Sequence, residues 1–402
     1  MNTLQLPDSE TASFILLHRN DDVNALALQA TRYPNVNLPF ALQQISGWQT
    51  ARHKLPLWSN TDGILFPPHL SLEQCSSEIT AQYKCLVMGK GESFADLTGG
   101  FGVDCSYIAR NFRTAHYVEK QEALCSLAAH NFPLLKCEHI SVHCMQAEEF
   151  LHCMKPVDCL FLDPARRNNH GGKTIAIADC TPNVSTLHPL LMQKAKKILI
   201  KLSPMLDISQ ALKEVPGVKE VHIVSVQNEC KELLLLLDKH CYEDKPETQF
   251  HCINFTHKGT QYFTFTAEEE QNTVCPQTST LGQYLYEPNA SLMKAGAFRS
   301  PTAKFGIKKL HPNSHLYTSE HCVAHFPGRI FEVESTFCFG KKELKALTST
   351  LEQANLTVRN FPSPVAELRK RLKLRDGGDV YLFATTLADE QKVIIRCRKA
   401  SI

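Results

Sequence analysis

The chain has 402 residues, of which 43% are hydrophobic and 21% are charged, and its formal net charge is only +2. This composition is that of a globular protein with about two to four domains, and it excludes a basic surface spread over the whole chain. The first residues do not have the pattern of a secretory signal, and no uncharged apolar run is long enough to cross a bilayer. We therefore expect no membrane partner.

The sixteen cysteines are scattered along the sequence. They form no C-x-x-C pair and no cysteine–histidine spacing of a known zinc motif. We predict free thiols in a reducing cytoplasm, most of them packed as small apolar residues, and we expect no metal site.

Residues 1–84 predict an all-α N-terminal domain, because strand-type alternation is absent and prolines punctuate helical patterns. Asp8 or Ser9 is suited to cap the first helix, and a further helix is predicted over Leu38–Gln49.

From residue 85 to 244, apolar runs of strand length alternate with helical patterns, which is typical of a doubly wound parallel sheet. The seven predicted strands are Ser93–Leu97, Ala115–Val118, Ile140–Met145, Cys159–Asp163, Lys197–Leu202, Val221–Val226 and Glu232–Asp238. The last two strands are adjacent in the chain, which suits a sheet whose final strand is antiparallel.

A glycine-rich segment, DLTGGFGVD, follows the first predicted strand. Asp96 ends that strand and Glu119 ends the second, so the two acids flank a turn of the kind that holds a nucleoside. Glu119 is suited to accept hydrogen bonds from both ribose hydroxyls. The segment lacks the G-x-G-x-x-G spacing of nicotinamide-binding proteins, and the turn is formed by Gly99, Gly100 and Gly102.

A second motif, Asp163-Pro-Ala-Arg-Arg, ends the fourth predicted strand. Pro164 stiffens the turn, so the Asp163 carboxylate and neighbouring carbonyls can accept a proton from an amine. Arg166 and Arg167 are suited to hold a phosphate or an acidic group. Alternatively, Asp163 caps the turn and the arginines are solvated.

Weaker candidates surround these motifs. Ser76 or Ser77 predicts the start of a helix that closes over the glycine-rich turn, and the alternative is an ordinary capped helix between two domains. Gln146 and Ala147 follow the third strand, and Lys201 ends the fifth.

The C-terminal part has a different pattern. Residues 249–266 predict a hairpin with Lys258-Gly259 at its turn, and residues 329–402 predict the order β-α-β-α-β-β. Residues 355–402 carry ten Lys and Arg against five acids, which favours either a phosphate-contacting face or a solvated helix.

The motifs QISGWQTARHKLPLW, LSLEQCSSEITAQYK, DLTGGFGVD, YVEK, DPARR, NECKEL and FPGR together resemble one family over nearly the full chain. It is a bacterial class I methyltransferase family, of the Bacteroidetes type, with a THUMP-like C-terminal domain. The resemblance departs from the usual motif at Thr98, where a glycine is expected, and at Gln146, where many members have aspartate.

The resemblance implies four domains: a helical domain (1–84), a Rossmann-like methyltransferase domain with a seven-stranded sheet (85–244), a small ferredoxin-like α+β domain (245–326) and a THUMP-like domain (327–402). It implies S-adenosylmethionine as the cofactor, with catalytic roles for Asp163, Pro164 and Arg166. The implied cofactor-binding residues are Ser76, Ser77, Asp96, Thr98, Gly99, Gly100, Gly102, Glu119, Gln146, Ala147 and Asp163.

THUMP domains bind RNA, so the resemblance also implies an rRNA or tRNA partner, held through the C-terminal domains, and methylation of an exocyclic base amine such as guanine N2. Uridine C5 chemistry is disfavoured, because the stretch Lys201-Leu-Ser-Pro204 lacks the required cysteine nucleophile. Two alternatives stay open: a methyltransferase for a small molecule or protein, and a cofactor-binding RNA-assembly factor without turnover.

Overall fold

The computed structural model describes residues 4–166, 177–239, 247–349 and 351–401. The chain divides into two compact units. Unit 1 comprises Met1–Lys219 and Leu234–Pro246, and unit 2 comprises Glu220–Leu233 and Glu247–Ile402.

Unit 1 begins with helices alone, as the sequence predicted. Asp8 caps the first helix, because its side-chain oxygen accepts the backbone N–H of Thr11 at 2.7 Å. The helix predicted over Leu38–Gln49 continues to Lys54 and stops just before Pro56, which disfavours a helical residue ahead of it. The helices are Ser9–His18, Val23–Ala27, Leu38–Lys54, Pro56–Ser59, His69–Gln74 and Glu78–Met88, with a 3₁₀ turn at Ala30–Arg32.

A parallel sheet forms the rest of unit 1. The carboxyl halves of its two central strands are buried on both faces, which explains their apolar sequences. The strands are β1 (Gly91–Asp96), β2 (Phe112–Glu119), β3 (Ile140–Cys144), β4 (Val157–Leu162) and β7 (Ala195–Leu202). Their spatial order is β7-β4-β1-β2-β3, and every neighbouring pair is parallel.

Helices connect these strands, so the carboxyl ends of all five strands meet at one edge of the sheet. The chain reverses its direction of winding between β1 and β4, and ligands bind at such a point in open α/β sheets. The connecting helices are Val103–Ile108, Glu122–Leu134, Ala147–Cys153, Val184–Lys194 and Ile208–Glu214, with 3₁₀ turns at Ala109–Asn111 and Ile177–Asp179.

Two very short strands, β5 (Ala165–Arg166) and β6 (Cys180–Thr181), form an antiparallel pair of their own. The sequence did not predict them, because two residues are too few to show a periodicity. The pair follows Asp163 and brings Thr181 beside Ala165.

The sixth and seventh predicted strands are β8 (Val218–Val226) and β9 (Glu229–Asp238), and both belong partly to unit 1 and partly to unit 2. Gln227 and Asn228 join them with φ angles of 50° and 64°, the left-handed conformation of a two-residue hairpin turn. All seven strands predicted over 85–244 are therefore present.

In unit 2, the predicted hairpin is formed by β10 (Gln249–Thr256) and β11 (Gly259–Thr266). β10 also pairs with β8, in parallel. A seven-stranded sheet follows. Its strands are β12 (Tyr284–Pro288), β13 (Lys308–Lys309), β14 (Tyr317–Ser319), β15 (Gly328–Cys338), β16 (Asn355–Arg359), β17 (Val380–Thr386) and β18 (Lys392–Lys399). Their spatial order is β13-β14-β12-β15-β18-β17-β16.

The β-α-β-α-β-β order predicted for residues 329–402 is confirmed. The helices Lys341–Thr348 and Val365–Leu372 bury leucines against the sheet, in a cluster that includes Leu344, Leu368 and Leu382. The other helices of unit 2 are Ala267–Asn272, Ala290–Ala295 and Ser300–Phe305.

Candidate cofactor and active site

One cavity lies at the carboxyl edge of the unit 1 sheet and gathers most of the predicted site residues. Its lining includes Ser76, Asp96, Thr98, Gly99, Gly100, Gly102, Glu119, Gln146, Ala147 and Asp163. Ser77 and Pro164 are not among the lining residues. The side chain of Arg166 and the whole of Arg167 lie outside the described part of the chain.

The glycine-rich turn is packed so tightly that it admits no side chain at its centre. A Cβ atom on Gly99 would lie 2.1 Å from Cε2 of Tyr117, whose hydroxyl donates to the carbonyl of Gly100 at 2.5 Å. Gly100 and Gly102 have φ angles of 54° and 89°, which L-residues rarely adopt. The backbone therefore lines the cavity directly.

Glu119 ends β2 and fixes the turn. One carboxylate oxygen accepts the backbone N–H of Gly100 at 3.0 Å, and the other accepts that of Gln121 at 2.9 Å. Each oxygen has a further lone pair, so the carboxylate can still accept two hydroxyl protons from a ligand. The ribose contact of Glu119 stays a prediction, and these lone pairs are the ones it would use.

Asp96 is 1% exposed and accepts the N–H of Thr98 at 2.9 Å. Burial raises the pKa of Asp96 well above its ordinary value, and the nearby carboxylates of Asp104, Asp163 and Glu119 raise it further. A cationic ligand group beside Asp96 would favour its ionised form, so this carboxyl suits the positively charged end of a ligand.

Asp163 lies beside a cation. Lys201, at the end of β7, places its ammonium 2.5 Å from the Asp163 carboxylate, and the Asp163 N–H donates to the hydroxyl of Thr98 at 2.6 Å. The Asp163 side chain is 38% exposed, so it remains accessible from the cavity. Lys201 was only a weak candidate in the sequence.

Asp104 is a residue that the sequence did not single out. It lies in the helix after the glycine-rich turn, 3.2 Å from the fully buried ammonium of Lys84, and it accepts the hydroxyl of Ser76 at 2.7 Å. Burial opposes its ionisation, but Lys84 and Lys201 together hold the pKa of Asp104 below its ordinary value. The partners of Asp104 come from two segments that are distant from it in the sequence, so no local pattern indicated them.

The predicted helix that closes over the turn is Glu78–Met88, and Ser77 is its N-cap residue. Ser76, one residue earlier, is the serine that faces the cavity, and Lys84 also donates to its hydroxyl at 3.1 Å. The helix is therefore tied to the glycine-rich turn through Ser76 and Asp104.

Residues 355–402, the basic C-terminal element, are partly neutralised by acidic side chains. Five of its cations form ion pairs: Arg369 with Asp376, Arg375 with Glu352, Arg359 with Glu287, and both Arg396 and Arg398 with Glu334. A further one, Arg371, lies over the ring of Phe339 at 4.4 Å. Much of the element is consequently an ion-paired surface.

Comparison with known proteins identifies the class. Family models match residues 284–327 as a ferredoxin-like domain and residues 328–399 as a THUMP domain-like module. The crystal structure of a candidate methyltransferase from Porphyromonas gingivalis W83 is 34% identical, with a TM-score of 0.85, and the match covers 99% of this chain and 100% of that one.

The fold is that of a class I methyltransferase. The chain belongs to the family of the P. gingivalis protein, as its motifs predicted, with ferredoxin-like and THUMP-like modules after the methyltransferase sheet. No curated protein sequence matches it.

Partial likenesses also exist. An rRNA methylase from Streptococcus thermophilus matches 41% of this chain and 97% of its own, with 12% identity and a TM-score of 0.30. TrmN from Thermus thermophilus matches 40% of this chain and 48% of its own, with 11% identity and a TM-score of 0.32. These values are too low to bear on the activity.

The cofactor of this family is S-adenosylmethionine, and the cavity fits it. Gly100 and Gly102 bring bare backbone to the cavity wall, Glu119 has lone pairs for ribose hydroxyls, and buried Asp96 suits the cationic methionine end. In the described part of the chain, every helix is too short or too polar to span a bilayer, and the cysteines are free thiols.

Proposed function

We propose that this S-adenosylmethionine-dependent methyltransferase modifies RNA, an rRNA or a tRNA, at an exocyclic base amine such as guanine N2. The observation that carries the proposal is the position of Asp163 at the cavity edge, held through its backbone by Thr98 and through its carboxylate by Lys201. An amine acceptor needs such a group because it must lose a proton when it is methylated.

The chain's residues would act by positioning. Asp163 accepts a hydrogen bond from the amine N–H, orients the nitrogen lone pair toward the cavity and takes up the proton that the nitrogen loses. Lys201 stabilises the carboxylate, and Pro164 stiffens the turn behind it. S-adenosylmethionine, when bound, supplies the electrophilic methyl group.

A nitrogen acceptor is favoured over a pyrimidine carbon. Methylation of a pyrimidine carbon needs a thiolate nucleophile, and the stretch Lys201-Leu-Ser-Pro204 at the end of β7 has no cysteine. Cys75 does line the cavity, but burial raises the pKa of its thiol to about 11, so the thiol is neutral near neutral pH.

RNA is favoured as the acceptor by the THUMP-like module, matched at residues 328–399. This step is an analogy between modules, because fold alone does not determine function. We also propose the four-domain division at residues 84, 244 and 326, and the cofactor roles assigned to Ser76, Thr98, Gln146 and Ala147.

The test is transfer of a labelled methyl group from S-adenosylmethionine to total RNA, followed by identification of the modified nucleoside. We expect transfer by the wild type and its loss in Asp163→Ala, with the fold of the variant checked by circular dichroism. Glu92→Ala is the control, since the Glu92 side chain lies at the amino end of β1, is 79% exposed and is expected to be dispensable for activity. Transfer to small molecules or protein but not to RNA would overturn the RNA proposal, and cofactor binding without any transfer would indicate an assembly factor.

A further inference from the structure

Three ligand-type side chains meet on the strands of unit 2, on residues to which the methyltransferase site assigns no role. Glu220 and His222 lie two positions apart on β8, so both side chains project from the same face. His251 on the parallel neighbour β10 is the register partner of His222. The pairing of two strands therefore fixes all three residues side by side.

The ligand atoms have the spacing of a metal site. Nε2 of His222 lies 3.2 Å from Oε2 of Glu220, and Nε2 of His251 lies 3.6 Å from the same oxygen. In a tetrahedral zinc site with bonds of about 2.0–2.1 Å, two ligand atoms are separated by about 3.3–3.4 Å. All three ligand atoms lie within 4.8 Å of one another.

The surroundings also suit a metal ligand set. The His222 and His251 side chains are buried, and Nδ1 of His251 is hydrogen-bonded to the hydroxyl of Tyr262 on the adjacent strand β11. When Nδ1–H donates to this hydroxyl, Nε2 carries the lone pair that a metal needs, and such outer contacts orient histidine ligands in metalloproteins.

We propose that Glu220, His222 and His251 form a binding site for a divalent transition metal, with zinc as the best match. Two imidazoles and one carboxylate suit zinc, and a solvent molecule would complete four-coordination. The imidazole rings stack at 4.5 Å with only 10° between their planes, so binding requires rotation of the rings until both lone pairs converge. The site joins β8 to β10 and stabilises their pairing.

The sequence predicted no metal site, and there is a physical reason why it could not indicate the proposed one. Glu-x-His on one strand is not a metal motif, and the third ligand comes from a separate strand that only the fold brings near. A second histidine pair, His116 and His143 on β2 and β3, has its nitrogens 3.0 Å apart. Among the described residues no carboxylate completes that pair into a three-ligand cluster, so it serves as an internal control.

The test is titration of the full chain with Zn²⁺ by calorimetry and with Co²⁺ by visible absorption, in the absence of cofactor and RNA. We expect about one site per chain, a cobalt spectrum of nitrogen and oxygen ligation without sulfur charge-transfer bands, and an increase in the melting temperature. Glu220→Gln and His251→Gln should each weaken binding at least about tenfold, whereas the control His143→Gln should leave it unchanged.

Melting curves in a chelator, together with circular dichroism, separate loss of metal binding from loss of fold. Tyr262→Phe keeps all three ligands and removes only the outer hydrogen bond, so it should weaken binding less than the ligand variants do. No binding by the wild type, thiolate bands in the cobalt spectrum, or equal affinity in wild type and His251→Gln would each overturn the proposal. Methyl transfer is not part of this readout, so the result is independent of the proposed RNA substrate.

Discussion

The hydroxyl of Thr98 accepts the backbone N–H of Asp163 at 2.6 Å, and the N–H of Thr98 itself donates to Asp96 at 2.9 Å. Thr98, which stands where the family's usual glycine-rich motif has a glycine, thus connects the cofactor-binding turn to the turn that presents Asp163. A side chain at this position has a structural use that a glycine could not provide.

Thr98→Val tests this connection, because it removes the hydroxyl while nearly preserving shape. Leaving a half-buried N–H without its partner costs about 1–3 kcal/mol, and the loss falls on the orientation of Asp163. We expect turnover to decrease roughly tenfold or more, and the dissociation constant of S-adenosylmethionine to rise only through the proposed cofactor contact of Thr98. Thr98→Ser should retain activity, and equal losses in the two variants would contradict the role of the hydroxyl.

Gly99→Ala is expected to abolish cofactor binding, because its Cβ would lie 2.1 Å from the buried ring of Tyr117. The turn must shift to relieve the clash, and the cavity is lined by its backbone. Calorimetry should show affinity for S-adenosylmethionine reduced at least about tenfold. Gly340→Ala is the control, since Gly340 has a φ angle of −109° and a Cβ added there would meet no atom within 4 Å; this variant should bind normally.

Cofactor affinity should depend on pH through Asp96. Burial raises the pKa of this carboxyl, so the neutral form persists to higher pH than for an exposed aspartate. A cationic ligand favours the ionised form, and affinity should therefore rise as pH increases through the pKa of Asp96 and level off above it. Calorimetry across the acidic to neutral range measures this, and Asp96→Asn should flatten the dependence. A wild-type affinity that falls with rising pH would refute the assignment.

The sheet and the cofactor turn were predictable because their signals are local. Each strand is a short apolar run, and Asp96 and Glu119 are the acids that end two of those runs. Parallel strands place their carboxyl ends at one edge, so the two acids had to lie close together. The predicted fold class and order of the C-terminal elements follow from the same kind of pattern.

The interactions beneath the turn were not predictable, because they join segments that are far apart in sequence. Lys84 lies on the helix before β1, Asp104 on the helix after it and Lys201 at the end of β7. Nothing near any of these residues indicates its partners. The ion pairing of the C-terminal cations was equally hidden. Their excess in residues 355–402 gave no sign that acids such as Glu287 and Glu334 would pair with them.

Lys84→Met should destabilise unit 1 strongly. The Lys84 side chain is fully buried beside Asp104, and removing one partner of a buried pair costs up to roughly 3–5 kcal/mol, here reduced because Lys201 still lies 3.7 Å from Asp104. Chemical denaturation should show the loss. Lys196→Met is the control, because Lys196 pairs with Asp158 at the surface with 66% of its side chain exposed, and its removal should have little effect.

The difference between wild type and Lys84→Met should also depend on pH. The pKa of Asp104 is lowered in the folded chain, so its stabilising contribution is complete above the ordinary aspartate pKa and is lost as pH falls through the lower, folded value. We expect the two denaturation curves to converge in acid. A constant difference at all pH values would mean that Lys84 acts through packing alone.

RNA contact by the C-terminal module should depend on cations that are not neutralised by acids. Lys370 and Lys373 are exposed at the end of the helix Val365–Leu372, and the ion pairs of the described residues in this element involve arginines. If this end of the helix contacts phosphates, the double variant Lys370→Glu/Lys373→Glu should weaken RNA binding and reduce the slope of log affinity against log salt by about 1–2. Cofactor affinity should be unchanged.

The control for this variant makes the same change of charge elsewhere. Lys155 and Lys213 are exposed near the amino ends of β4 and β8, away from the cavity edge of the sheet. Lys155→Glu/Lys213→Glu should alter RNA binding only through the net charge. Equal weakening in both double variants would indicate a general electrostatic effect, and no weakening in either would exclude the C-terminal helix as a phosphate contact. A loss confined to the C-terminal variant would identify this helix as part of the RNA-binding surface.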